Sequence, residues 1–272
     1  MKKADLHMHT TYSDGAYPLE QLINLAKSKN LNYISITDHD TLIGSREAYT
    51  KYNSDELKII VGIELSTDRN GESIHVLGFF KNADNLDELD KFLADQRQMR
   101  KVRAEKIKNA LYEHFQIDLD MSFSEKLYSI TRGSIANEII KQGHPYTKQQ
   151  IFDLMIGEGK PAYYPSTKLD TKDAIKLIHK HQGYAVLAHP TLVRRNNIEE
   201  LVKLGFDGIE AVYPRNKSGD EEVYRMLAKK YNLFITAGSD FHDFDDGQHG
   251  NIGDVTLSGE DLEIFLNKLE VK

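Results

Sequence analysis

The sequence contains no cysteine. That excludes disulfides, thiolate zinc sites, iron–sulfur clusters and cysteine nucleophiles together, so any metal site must be built from His, Asp, Glu and water. There is no apolar run approaching the roughly 18 residues of a membrane span, so no membrane partner is expected. The first residues, Met-Lys-Lys, lead straight into strand-like sequence without an apolar h-region. No signal peptide is therefore read, and the cytoplasm is the expected location. An excess of positive charge is also missing: 35 Lys and Arg face 42 Asp and Glu, a formal net charge of −7. That balance argues against a general electrostatic binder of membranes or long nucleic acid. A phosphate-bearing substrate stays open, because bound divalent cations invert the local field.

What is present is a chain of 272 residues, 40% hydrophobic and 28% charged, ample for one large α/β domain carrying a sizeable insertion. Strand-like segments are read over 4–9, 33–37, 57–65, 73–80, 184–188, 208–213 and 233–237, most of them separated by amphipathic helical patterns. Asn70-Gly71 marks a tight turn before the fourth strand. From about 85 to 115 the rhythm becomes that of a single long helix, and 116–165 reads as short helices and loops. The expected architecture is α/β, a distorted (β/α)7 TIM-like barrel formed by residues 1–94 and 166–272, with a mostly helical insertion over 95–165. A basic series on the long helix, Arg97, Arg100, Lys101, Arg103, Lys106 and Lys108, reads as a solvated helix face.

Near the N-terminus runs Asp5-Leu6-His7-Met8-His9. On a strand, alternate side chains share a face, so the two imidazoles lie roughly 7 Å apart at the backbone and can converge on one ion. Taken alone, such a pair is also compatible with an ordinary half-buried strand. Further donors recur at successive strand ends, where barrel chemistry gathers: His39, Glu64, His189, Asp240 and His242, with His75 in the fourth strand and Asp14 in a loop. With His7 and His9 the donors number nine, and six of the eleven histidines are among them. Nine donors exceed the about four to six ligands of one ion and suit two or three divalent ions sharing a bridging carboxylate. Such clusters serve phosphate-ester hydrolysis, because the ions acidify a water, clamp phosphoryl oxygens and stabilise the leaving alkoxide. Mixed imidazole and carboxylate donors accept Mn, Fe or Zn.

The series DLHMHT, TDHD, GIE, IHVLGF, AHP and GSDFH resembles the PHP (polymerase and histidinol phosphatase) family over roughly residues 3–94 and 166–245. The resemblance implies a distorted barrel of about seven βα units and a metal-dependent phosphohydrolase. It implies that His7, His9, Glu64 and Asp240 hold one ion, that Glu64 bridges to a second held by His75 and His189, and that Asp14, His39 and His242 hold a third. Asp5 is expected behind these ligands, orienting a histidine. The insertion is similar to that of the branch acting on nucleotides, with Arg132 of Thr131-Arg132-Gly133-Ser134 facing substrate phosphate. Arg215 and Asn216, where relatives often read Arg-His, are further substrate-contact candidates. The implied substrate is a small phosphomonoester of a nucleotide, a 3′,5′-nucleoside bisphosphate or a nucleoside monophosphate. Exonuclease action on short oligoribonucleotides and histidinol phosphate hydrolysis are the alternatives within the class. A non-catalytic metal-binding module is the alternative outside it.

Overall fold

The computed structural model describes residues 2–125 and 130–271. The chain divides into two compact units, Met1–Asp90 with Leu169–Lys272, and Lys91–Lys168.

The first unit is built on one sheet whose strands are β1 (Lys3–Asp5), β2 (Tyr33–Ile36), β3 (Lys58–Arg69), β4 (Glu72–Phe80), β5 (Leu169–Asp170), β6 (Tyr184–Leu187), β7 (Gly208–Val212), β8 (Phe234–Ala237) and β9 (Leu257–Ser258). The spatial order is β8-β7-β6-β4-β3-β2-β1-β9, with β5 against β3. The sheet curls until its ends nearly meet. Beyond β1 the Leu6 N–H donates to the Ala237 carbonyl at 3.1 Å and the His9 N–H to the Phe241 carbonyl at 2.9 Å, while Met8 pairs in parallel with Phe241. The result is an almost closed α/β barrel. Buried on both faces, β3 reads as the continuous run Ile59–Ser66, because one face lines the barrel and the other meets helices. The helix Leu19–Ser28 buries Leu19, Leu22, Ile23 and Ala26, an i, i+3, i+4, i+7 stripe. The helix Thr171–Lys180 starts at Asp170, whose carboxylate accepts the Lys172 N–H.

One strand departs from simple βα alternation. The Asn70-Gly71 turn takes positive φ at both residues, 55° and 75°, as a two-residue hairpin requires. So short a connection permits only antiparallel pairing, and β4 runs antiparallel to both β3 and β6. Its first residues therefore share a rim with the last residues of β3: His75 lies opposite Ser66, two positions from Glu64.

The second unit has its own apolar core, including Ile107, Leu111, Ile135, Ile139, Ile151 and Ile156. Capping boxes start its helices at Arg132–Lys141 and Lys148–Ile151: Thr131 exchanges hydrogen bonds with Ser134, and Thr147 with Gln150. The basic series on the helix Asp87–Phe115 is not uniformly a solvated face. Arg100 is buried, and the Arg103 guanidinium donates twice to the Tyr164 carbonyl, at 3.1 and 3.0 Å. Among the described residues no helix is long and apolar enough to cross a membrane.

Gly238 follows β8 where the barrel closes, and a Cβ there would stand 2.3 Å from the His7 Cβ and 2.6 Å from its backbone N. Gly238→Ala should therefore force the seam apart and cost about 1–3 kcal/mol. A urea unfolding midpoint equal to that of the parent chain would contradict this account of closure.

Candidate metal centre

Strand alternation sends Leu6 and Met8 into the core and leaves His7 and His9 at the barrel rim, fully buried. Glu64 reaches the same point from β3, and Asp240 from the turn after β8. His7 Nε2 lies 3.3 Å from Glu64 Oε2 and 3.2 Å from Asp240 Oδ1; His9 Nε2 lies 3.2 Å from each of the same two oxygens. These are not hydrogen bonds. His7 Nε2, His9 Nε2 and Glu64 Oε2 are buried polar atoms with no hydrogen-bond partner among the described residues. Buried orphans of this kind are costly, and here they face one another. A ligand shell of about 2.0–2.2 Å radius has edges of about 2.8–3.1 Å when octahedral and about 3.3–3.6 Å when tetrahedral, a range that brackets the spacing observed. The four side chains therefore fit a divalent cation.

The other oxygen of Glu64, Oε1, is 3.0 Å from both His75 Nδ1 and His189 Nε2. His39 Nδ1, another buried atom without a hydrogen-bond partner, sits 3.1 Å from Glu64 Oε2. On the outer side Asp14 lies 3.3 Å from His242 Nε2, 3.6 Å from His9 Nδ1 and 3.8 Å from His39 Nε2. The fold thus brings all nine sequence-predicted donors into one contiguous cluster, with Glu64 at its centre. His189 and Asp240 adopt positive φ, 27° and 54°, a sparsely populated backbone region whose strain recurs at functional sites.

Charges in this cluster are mutually compensated. Burial alone would neutralise Glu64, yet His39, His7 and His75 hold its carboxyl well below the usual range. Asp240 is likewise held low by His7 and His9 against its burial. Burial also disfavours charge on His9, but Asp240 and Glu64 outweigh it and lift the imidazole to about 10. His39 goes the other way: burial dominates, its carboxylate neighbours oppose only in part, and it falls to about 4.

Three supporting residues deserve separate mention because the motifs did not reveal their roles. Glu210, wholly buried in β7, takes His7 Nδ1–H at 3.0 Å and the His189 backbone N–H at 2.7 Å. It fixes the His7 tautomer that turns Nε2 inward. A lone carboxylate in Gly-Ile-Glu-Ala-Val was the available signal. Tyr213 donates its hydroxyl to Asp240 Oδ2 at 2.9 Å. Burial and the adjacent Asp240 raise its pKa, so it stays a donor. Asp38 accepts the Thr10 N–H, the Thr10 hydroxyl and the Ser13 hydroxyl, each at 2.7 Å, and so braces the loop that presents Asp14.

Asp5 requires a correction. It orients no imidazole ring; its carboxylate accepts the Ser239 N–H and hydroxyl and the Gly253 N–H, at 2.9, 2.7 and 2.9 Å, and thereby holds the turn before Asp240. Burial lifts its pKa to about 6 against these hydrogen bonds. The ring-orienting carboxylate is Glu210. Of the substrate-contact candidates, Arg132 belongs to the second unit, where its guanidinium lies 5.2 Å from the Tyr163 ring centre and 5.9 Å from that of Phe152 and donates to the Ile156 carbonyl. Arg215 is exposed on the loop after β7 and reaches the Gln248 carbonyl at 3.4 Å. Asn216 uses its Nδ2 on the Ala211 carbonyl, 2.7 Å away, and its Oδ1 has no partner among the described residues.

The chain is similar to known proteins over most of its length. The family model of the PHP domain matches residues 5–154. The 5′-3′ exoribonuclease of Haemophilus influenzae is 30% identical over 250 residues, covering 89% of this chain and 90% of that protein. The 3′,5′-nucleoside bisphosphate phosphatase of Chromobacterium violaceum is 27% identical over 255 residues, covering 89% and 88%. The solved structure of an amidohydrolase from the same organism superposes with a TM-score of 0.74 at 24% identity, covering 98% of this chain and 95% of that one, and shares its fold. With a matched family model, a near-full-length relative and a cluster of divalent-cation donors at the barrel rim, the chain belongs to the PHP-domain family and is a hydrolase of phosphoester bonds.

Proposed function

We propose that the protein removes a phosphate group from a nucleotide, a 3′,5′-nucleoside bisphosphate or a nucleoside monophosphate, using two or three divalent cations held by His7, His9, Asp14, His39, Glu64, His75, His189, Asp240 and His242. The observation that carries the reading is the set of buried polar atoms without hydrogen bonds that converge from the segments after β1 and β2 and from β3. Bound there, divalent cations supply Lewis acidity toward the phosphoryl oxygens and lower the pKa of a water for in-line attack. The protein's own part is preorganisation. Glu64 offers one oxygen to His7 and His9 and the other to His75 and His189, so a single carboxylate spans two ligand groups. Glu210 and Tyr213 hold His7 and Asp240 in their ligating orientations, which spares reorganisation during reaction. Mn, Fe and Zn all suit this donor set.

A second reading, 5′→3′ removal of nucleotides from short oligoribonucleotides, is favoured by the near-full-length match to the Haemophilus influenzae exoribonuclease. The acidic balance of the chain, −7, disfavours long nucleic acid. Both readings use the same cluster and differ in what lies beyond the attacked phosphate.

Product release with added Mn²⁺ from 3′-phosphoadenosine 5′-phosphate, AMP, a 5′-phosphorylated dinucleotide and histidinol phosphate separates them. The bisphosphate should be turned over fastest; a clear preference for the dinucleotide would establish the exonuclease reading, and one for histidinol phosphate would overturn the nucleotide assignment. Glu64→Gln should lower kcat at least about a hundredfold on any of these substrates, and near-wild-type turnover would refute the bridging role. Glu210→Gln should weaken Mn²⁺ binding by about 10–100-fold, measured by chelator competition. Because carboxylates hold the His9 imidazole protonated up to about 10 in the cation-free protein, cation binding must expel protons. Apparent Mn²⁺ affinity should consequently rise from pH 6 to 9, and calorimetry in buffers of different ionisation heat should register proton release; identical heats would contradict it.

A further inference from the structure

The imidazole cluster does not end at the nine donors. His9 stacks on His242 with ring centres 4.1 Å apart and planes at 21°, and His249 stacks on the opposite face of His242 at 4.0 Å and 23°. This outer ring is firmly held. Asp246 Oδ1 accepts the backbone N–H groups of Gln248 and His249 at 2.7 and 2.8 Å, and Oδ2 pairs with His249 Nδ1 at 2.6 Å. With that carboxylate acting as acceptor throughout, Nδ1 carries a proton and Nε2 is the free edge. Nε2 lies 3.9 Å from Asp240 Oδ2, and the ring is partly exposed at the rim of the cluster.

Donor atoms of Asp240, His242 and His249 lie within 4.8 Å of one another, which at first suggests a further cation. The stacking argues otherwise. A ligating imidazole binds in its own ring plane, and two nearly parallel rings about 4 Å apart direct their nitrogens into separate planes. His242 is already committed, with Nε2 toward Asp14 and Nδ1 on the Asp240 carbonyl. An imidazole held by a carboxylate, stacked on the edge of the donor cluster and partly open to solvent is placed to meet a ligand of cations held there.

We propose that His249 is a substrate-contacting residue whose Nε2 hydrogen-bonds a phosphoryl oxygen of the bound ester through one proton shared between the two atoms, and that Asp246 is the positioning residue that holds it there. The proposal rests on the phosphoester reading of the cluster. It is tested on the Mn²⁺-loaded full chain by calorimetric binding of inorganic phosphate, bound manganese per chain, and kcat and KM for the best ester. His249→Ala should retain the wild-type manganese content and Mn²⁺ affinity while weakening phosphate binding about tenfold and lowering kcat/KM by at least that factor. Asp246→Asn should weaken phosphate binding in the same direction, with no further loss in the double variant, since it acts through the same ring. Unchanged phosphate affinity in His249→Ala would overturn the contact, and loss of bound manganese would make His249 a ligand instead. If the wild-type chain binds phosphate but hydrolyses none of the esters, the substrate reading fails while the His249 contact is still decided by phosphate binding.

Discussion

The seam where the chain leaving β1 pairs with the chain leaving β8 is the constraint on which the molecule depends. Two backbone hydrogen bonds, Leu6 to Ala237 and His9 to Phe241, bring sequence neighbours of His7 and His9 against those of Asp240 and His242. The Asp5 carboxylate ties the same seam through Ser239 and Gly253. Closure of the barrel therefore completes the donor cluster. Gly238 sits there because no side chain fits against His7, and Asp240 takes a left-handed backbone that an aspartate tolerates better than most residues.

Placing this many ionisable groups out of water would be ruinous if they were isolated. Here each carboxylate is ringed by imidazoles and each imidazole touches a carboxylate, so the cluster tolerates burial as a compensated network. The same arrangement leaves His7 Nε2, His9 Nε2 and Glu64 Oε2 without hydrogen bonds inside one group of possible cation ligands. A cation bound there would relieve polar atoms that the fold has already brought together, without needing to order them.

Much of this was legible in the residues, and the limits have physical causes. Period-2 alternation in Asp5–His9 and repetition of donors at strand ends picked out the side chains that the fold gathers into one cluster, because strand geometry ties spacing to facing direction. Asn70-Gly71 announced a turn, yet the reversal of β4 depended on reading that turn as a two-residue hairpin, which places His75 on the ligand rim from an antiparallel strand. Asp5 and Glu210 show the limit most clearly. Both are buried carboxylates in apolar strands, but sequence proximity drew Asp5 toward the histidines, whereas the carboxylate that orients His7 comes from a residue 203 positions away. Arg100 and Arg103 were read from charge alone, and only packing distinguishes a buried or backbone-bound guanidinium from a solvated one. His249 carried no pattern, since its placement depends on the Asp246 turn and on stacking against His242.

The β3–β4 hairpin has a consequence for how the protein comes into being. Glu64 and His75 are joined by a tight local turn, so their part of the cluster can form from a short stretch of chain as soon as that stretch exists. His7 and His9 are different: their partners Asp240 and His242 lie more than 200 residues downstream. During synthesis the segment leaving β1 must keep one edge unpaired until Ala237 and Phe241 have emerged. The centre is thus laid down early and sealed last, and only a chain that has completed its barrel possesses the full set of donors.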